Sequence, residues 1–369
     1  MNRAFRYNNF DLIRLIAAVQ VAYCHSLGHL KVEHTSFLTE IVALIPGVPI
    51  SFFVSGYLIS KSYENNSLLR EYAQNRILRI YPALIACTFV AVLSVFLSGY
   101  FAHRAINVFH FIAWIAGQIT FVQFYNPDFM REFGTGVLNG SLWTITVELQ
   151  FYVLVPLIYW VFGLKSKSRT RQNIILAVLV FVFMAINIVH SKLNGYRDTL
   201  PFKLWDVSFL PWFYMFLVGV VVQKNFEQIY RLLRGKVLLF LLTYLFATYL
   251  TCNYFGWHVG NDIGPLLFFL LVLMVFSFAY SFPTLSGSML RKNDISYGVY
   301  IYHMPVVNLF IYYGYTSNGW LAALVVLLTI IAASISWKLV EQHALKLKKH
   351  PLNPFQANKS FQPTGEAHR

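Results

Sequence analysis

Long apolar stretches separated by short polar or basic loops run through nearly the whole chain. Eleven can be marked, near residues 10–30, 41–60, 80–99, 106–124, 142–163, 173–190, 206–223, 237–256, 263–281, 295–312 and 320–340. A membrane-spanning helix needs about 20 mostly apolar residues, so each stretch qualifies or nearly does. The pattern predicts an all-α fold: a polytopic transmembrane helical bundle.

The basic loops set the expected topology. Loops 61–79, 164–172, 224–236 and 282–294 hold 14 Lys and Arg, including Lys292, against 6 in the other loops. Such an excess marks the cytoplasmic side. Three apolar stretches separate loop 61–79 from loop 164–172, and an odd number of crossings cannot return a chain to the same side. The stretch 106–124, interrupted by His110, Gly117, Gln118 and Gln123, is therefore expected to lie in the interface without spanning. About ten spanning helices remain, with both termini cytoplasmic. Arg14 then lies near the inner face, while His25 and Glu148 share the outer half. Residues 1–345 are expected to form the membrane domain and 346–369 a basic, disordered cytoplasmic tail. No small-residue cleavage site follows the first apolar stretch, which continues Tyr23-Cys24-His25-Ser26, so it reads as a retained helix.

Composition agrees. The 369 residues are 57% hydrophobic and only 12% charged, against about 25% charged in soluble domains. The net charge of +14 would suggest nucleic acid in a soluble protein. Here no basic soluble module exists to hold it, and loops facing an anionic leaflet account for the charge. The three cysteines, Cys24, Cys87 and Cys252, are scattered in apolar runs. They read as packing residues and form neither a disulfide framework nor a metal site.

Ionisable groups inside a membrane cost roughly 2.5–3.5 kcal/mol at a helix centre, so they are kept only when paired or used. Arg14 and His25 are eleven residues apart, almost three helical turns, and fall on one face about 16 Å apart along the axis. Asp11, one turn before Arg14, can orient it. An imidazole at His25 suits general-base work; a packing histidine and a snorkelling arginine are the plain alternative. Glu148, seven residues after Ser141 in Ser141-Leu142-Trp143-Thr144, must face the bundle interior, as a proton or hydroxyl partner or as a polar clamp. Arg76 and Arg79 share a helix side and can grip phosphate, although ordinary flanking charge gives the same pattern. His303, in Ser296-Tyr297-Gly298-Val299-Tyr300-Ile301-Tyr302-His303, is a second mid-helix histidine. It either lines a substrate path or packs, and Pro305 would bend its helix.

Taken in order, these elements resemble the acyltransferase-3 family of membrane-bound acyltransferases. They are the basic residue and histidine of the first helix (Arg14, His25), the run Gly47 to Ile59, Arg76 to Pro82, Ser141 to Glu148, and Ser296 to Pro305. The likeness extends from about residue 9 to 345. One departure is Pro49, where many members carry an acid. Many members also carry an esterase-like domain after the membrane part, so a membrane domain alone would complete transfer itself or with a separate protein.

The resemblance implies an enzyme, an acyltransferase moving groups other than amino-acyl groups. It would be an O-acetyltransferase of the bacterial inner membrane that modifies a cell-surface or lipid-linked polysaccharide. Acetyl-CoA or another acyl-CoA would be co-substrate, with no permanently bound cofactor and no metal. Expected partners are acyl-CoA, a glycan or lipid-linked saccharide acceptor and membrane lipid, with no nucleic acid; a homo-oligomer stays open. His25 and Glu148 would be catalytic, Arg14, Arg76 and Arg79 would bind the donor, and Asp11, Ser141, Trp143, Tyr297 and His303 would line the substrate path. The competing reading is a proton-coupled secondary transporter using Arg14, His25 and Glu148 as a relay. Against it, no inverted repeat is evident.

Overall fold

A computed structural model describes residues 8–33, 36–102, 104–282, 284–291 and 293–349. Lys292 and the tail residues 350–369 lie outside them. All regular structure among the described residues is helical. The helices are α1 Phe10–His29, α2 Phe37–Ala43, α3 Gly47–Asn65, α4 Leu69–Leu97, α5 Val108–Gln118, α6 Trp143–Val161, α7 Arg169–Lys192 and α8 Leu200–Asp206. They continue with α9 Phe213–Lys224, α10 Phe226–Leu233, α11 Val237–Phe255, α12 Pro265–Ser281, α13 Leu285–Leu290 and α14 Ser296–Tyr312. Last comes α15 Gly319–Ser336, which passes through a π turn at Trp337–Glu341 into α16 Gln342–Lys346.

Six described helices are long and apolar enough to cross a membrane: α1, α4, α6, α7, α11, and α15 with its continuation. The sequence pattern led us to expect about ten. The shortfall has two physical sources. Some stretches are too short: α9 has 12 residues and α12 has 17. The expected span at 206–223 is broken because the Gln150 amide holds a turn, donating to Val207 O and accepting from Phe209 N, each at 2.8 Å. In contrast, α3 is 19 residues long but carries Ser51, Ser55, Ser60, Lys61, Ser62 and Glu64. It can afford them because other helices surround it, so lipid does not select its composition. At 11 residues, α5 is about 16 Å long, roughly half a bilayer core.

The centre of the bundle is the crossing of α3 and α9. A Cβ on either Gly56 or Gly219 would collide with the other helix's backbone, so only glycine permits this approach. Around it, Tyr57 and Tyr280 share a 2.8 Å hydroxyl bond. The buried Lys224 ammonium pairs with Glu64, which also accepts from Tyr159 and Gln223. These contacts pin α3 to α6, α9 and α12.

Four helices position the candidate site. Arg14 meets Asp294, just before α14, and His25 meets His303 farther along it, so α1 and α14 run side by side in the same direction. Thr144 bonds Tyr300 while Glu148 lies with Ser296 and Tyr297, so α6 runs opposite to α14. α15 also runs opposite, since Gly298 abuts Ala333 and Trp337 donates to Asn293.

Candidate active site

His25 Nδ1 and His303 Nε2 are 3.0 Å apart, and His303 Nδ1 is 2.6 Å from the carbonyl oxygen of Tyr300. A carbonyl can only accept. His303 Nδ1 therefore carries the proton and, in the neutral ring, Nε2 is the acceptor. His25 must then donate through Nδ1, which leaves its Nε2 lone pair unbonded. The chain of bonds thus fixes the tautomer of both rings and presents a basic nitrogen on a half-buried imidazole. His303 is fully buried.

Pro305 helps build this arrangement. Proline has no N–H, so the carbonyl four residues back loses its helical partner. That carbonyl is Ile301 O, and it accepts instead from Asn139 Nδ2 at 2.7 Å and Cys87 Sγ at 3.3 Å. Asn139 in turn accepts from Ser141 Oγ at 2.7 Å. The segment that starts α6 is thereby docked onto the helix that carries His303. Ser141 is an anchor of this joint, buried completely.

Toward the start of α1 and α14 from the histidines lies a cavity of about 50 Å³, lined by Arg14, Ala18, Ser51, Thr144, Glu148 and Tyr297 among others. Its volume suits a few waters. Glu148 Oε1 accepts from Ser55 Oγ at 2.9 Å and Tyr152 OH at 2.6 Å. The Tyr297 hydroxyl is buried without a partner. Tyr300 closes the cavity toward His303: its hydroxyl is 2.6 Å from Thr144 Oγ1, and its carbonyl is the one that orients His303.

At the far end of the cavity, one carboxylate joins three helices. Asp294 Oδ2 accepts from Arg14 at 2.9 Å and from Arg79 at 2.5 Å, and Ser296 Oγ donates to Oδ1 at 2.5 Å. Burial alone would push the Asp294 carboxyl up. The two guanidiniums and the serine outweigh it and hold the group well below the usual carboxylate range. Arg76 lies between the rings of Tyr72 and Tyr152, at 5.8 and 5.7 Å from their centroids, and reaches Ser62 Oγ at 3.4 Å. Lys348 completes the basic cluster; burial and the neighbouring Arg76, Arg79 and Arg14 lower it to about 8.

The structure sorts the residues singled out in the sequence. Arg14 and His25 do share a face of α1, and both turn toward α14. Glu148 does not accompany His25: it lies in the cavity with Arg14, because Thr144 is already level with Tyr300 and α6 runs away from the histidines. The ring beside His25 is His303, the second mid-helix histidine. Asp11 is exposed, and among the described residues the partner of Arg14 is Asp294 instead. Arg79 pairs with Asp294 and Arg76 packs against two tyrosines, so the two guanidiniums share no partner here, while both belong to the basic cluster with Arg14 and Lys348. Trp143 packs 5.4 Å from Trp212 and faces a second, larger cavity. Asp294, Tyr300, Asn139 and Ser55 were missed. Asp294 had a signal, an acid within a basic loop immediately before a helix start; Ser55 and Tyr300 lie within the ordered elements Gly47 to Ile59 and Ser296 to Pro305, while Asn139 is ordinary in sequence, and the partners of all three depend on helices that meet only in the fold.

The chain matches the model of the acyltransferase-3 family, described as an acyltransferase domain, over residues 7–338. Nodulation protein 10 of Rhizobium leguminosarum bv. viciae is 31% identical over 354 residues, covering 92% of this chain and 94% of that protein. The O-acetyl transferase of Shigella phage Sf6 is 26% identical, covering 92% and 96%. The peptidoglycan O-acetyltransferase OatA of Listeria monocytogenes is 26% identical over 330 residues, 80% of this chain and 50% of that one. No solved structure gives a significant match.

Proposed function

The chain belongs to the acyltransferase-3 family and is an acyltransferase; from that premise we propose that it moves an acetyl group from acyl-CoA to a hydroxyl of a cell-surface or lipid-linked polysaccharide. The observation that carries the reading is the directed bond chain from the Tyr300 carbonyl through His303 to His25, which leaves His25 Nε2 free to take a proton.

In the reaction, the acceptor hydroxyl gives its proton to His25 Nε2 as its oxygen attacks the thioester carbonyl. A C–O bond forms, the C–S bond breaks, and the leaving thiolate recovers the proton from the imidazolium. His303 stabilises that imidazolium by continuing to accept from Nδ1. The basic cluster of Arg76, Lys348, Arg14 and Arg79 suits the phosphates of the donor. The line from this cluster past Ala18, Thr144 and Tyr300 to His25 follows one face of α1 for about 16 Å, a length an extended pantetheine arm can cover. At about 50 Å³ the cavity on that line is too small for the donor arm, so donor entry requires the Thr144–Tyr300 bond to open. Glu148 lies on this path and acts on the donor arm or on Arg14. The basic loops face the cytoplasm of a bacterial inner membrane, where the donor is found.

The test is transfer of label from radiolabelled acetyl-CoA into glycan, in membranes holding wild type or His25→Ala at equal expression. Removing a general base is expected to cost about 10²–10⁴-fold. Equal labelling in both would remove His25 from the chemistry. No labelling by wild type, where the native acceptor is present, would return the proton-coupled transporter.

A further inference from the structure

The larger cavity, about 1000 Å³, opens between the start of α6, the segment after α5, and α8. This volume lies in the range of ligand sites. Trp143, Tyr125 and Phe129 offer aromatic surface, while Arg131, Lys203 and Asp206 supply charge. Neither Arg131 nor Lys203 pairs with an acid among the described residues.

Asp206 is held by a histidine, His190, that the transfer chemistry does not use. Its Oδ1 is 2.9 Å from Nε2 of His190. The Asp206 side chain is 46% exposed to the cavity and that of His190 only 2%. His190 is caged by aromatics, stacked 4.8 Å from Phe202 with Trp205 and Trp212 at 5.3 and 5.4 Å. Its Nδ1 is buried and unpartnered, and Nε2 carries the hydrogen that it donates to the Asp206 carboxylate. Trp212 adds a bond from Nε1 to Asp206 O at 2.8 Å. A carboxylate fixed by a buried histidine, facing an open aromatic-walled cavity, is a prepared hydrogen-bond acceptor.

We propose that this cavity binds the acceptor saccharide, with sugar faces on Trp143 and its aromatic neighbours and a sugar hydroxyl on Asp206, which His190 positions. Rings with an apolar face and a hydroxyl rim match a wall of this composition. The location suits the units flanking the one acylated. Trp143 faces the cavity, while its chain neighbour Thr144 turns the other way to Tyr300, whose carbonyl holds His303. One residue step on α6 thus separates the saccharide cavity from the support of the base.

The inference rests on the acyl-transfer reading, and the experiment separates the two. Trp143→Ala, Asp206→Asn, His190→Leu and His190→Gln are compared with wild type in two assays. One follows label from acetyl-CoA into the glycan of native-host membranes; the other measures acetyl-CoA affinity of the purified protein. Trp143→Ala, Asp206→Asn and His190→Leu are expected to lower glycan labelling about tenfold or more, with acetyl-CoA affinity within about twofold of wild type. His190→Gln keeps an N–H donor and is expected to recover most of the labelling. Undiminished labelling in Trp143→Ala and Asp206→Asn overturns the proposal, as does equal loss of labelling and acetyl-CoA affinity. Wild type that neither binds acetyl-CoA nor labels glycan defeats the transfer reading itself.

Discussion

Helices α14 and α11 are of similar length and opposite character. In α14 nearly every residue from Ser296 to Asn308 is buried, and, apart from the unpartnered Tyr297 hydroxyl, its polar side chains are used: Ser296 on Asp294, Tyr300 on Thr144, His303 on His25, and Asn308 on the 135–138 loop. In α11 only Tyr244 and Thr248 are buried, and Leu238, Leu242, Phe246 and Tyr249 form an exposed apolar stripe. Yet α11 satisfies a length-and-hydropathy criterion for spanning and α14 does not. Lipid selects composition only where it touches. A helix enclosed by protein is free to carry the polar groups that chemistry needs, at the cost of satisfying most of them.

The contrast is most severely tested at Asp294. Asp294→Ala leaves two guanidiniums without their partner, and breaking such a buried pair costs about 3–5 kcal/mol. A large fall in the melting temperature of the detergent-solubilised protein is expected; an unchanged one would mean that the ion triad joining α1, α4 and α14 is not formed. Acid gives the same test without mutation. The Asp294 carboxyl is held below its unfolded value of about 3.9, so its contribution is complete above that value and is lost only as pH falls further. Stability from this source should therefore hold from pH 7 down to about 4.

A smaller effect is expected at His303. His303→Phe keeps an aromatic ring but removes the acceptor for His25 Nδ1. A hydrogen bond to a charged group contributes about 1.5–3 kcal/mol, so transfer should fall about 10–100-fold while the protein still folds. A loss as complete as that of His25→Ala would give His303 a direct part in the reaction. The smallest effect belongs to the lipid-facing stripe. Phe246→Leu and Tyr249→Leu should shift stability by no more than about 0.5 kcal/mol and leave transfer untouched. A strong loss at either would show that α11 meets a partner rather than lipid.

The sequence alone carried the class of the fold and the identity of the chemistry. Long apolar runs could only be helices in lipid, because every backbone N–H and C=O must be satisfied within its own segment. The spacing of Arg14 and His25 fixed their common face, since helical geometry is local. The ordered elements from Arg14 to Pro305 were enough to bring the acyltransferase-3 family into view. What only the tertiary structure decided was partnership. Nothing local tells His25 that its neighbour is His303 rather than Glu148, or Arg14 that its carboxylate is Asp294 rather than Asp11. Those choices depend on which helices run parallel and how deep α6 begins, and these follow from close approaches such as Gly56 to Gly219 and from the carbonyl that Pro305 frees for Asn139. The number of enclosed helices was also beyond the sequence, because a hydropathy pattern reports contact with lipid, and α3 and α14, which bring Ser55 and His303 to the site, are largely enclosed by other helices.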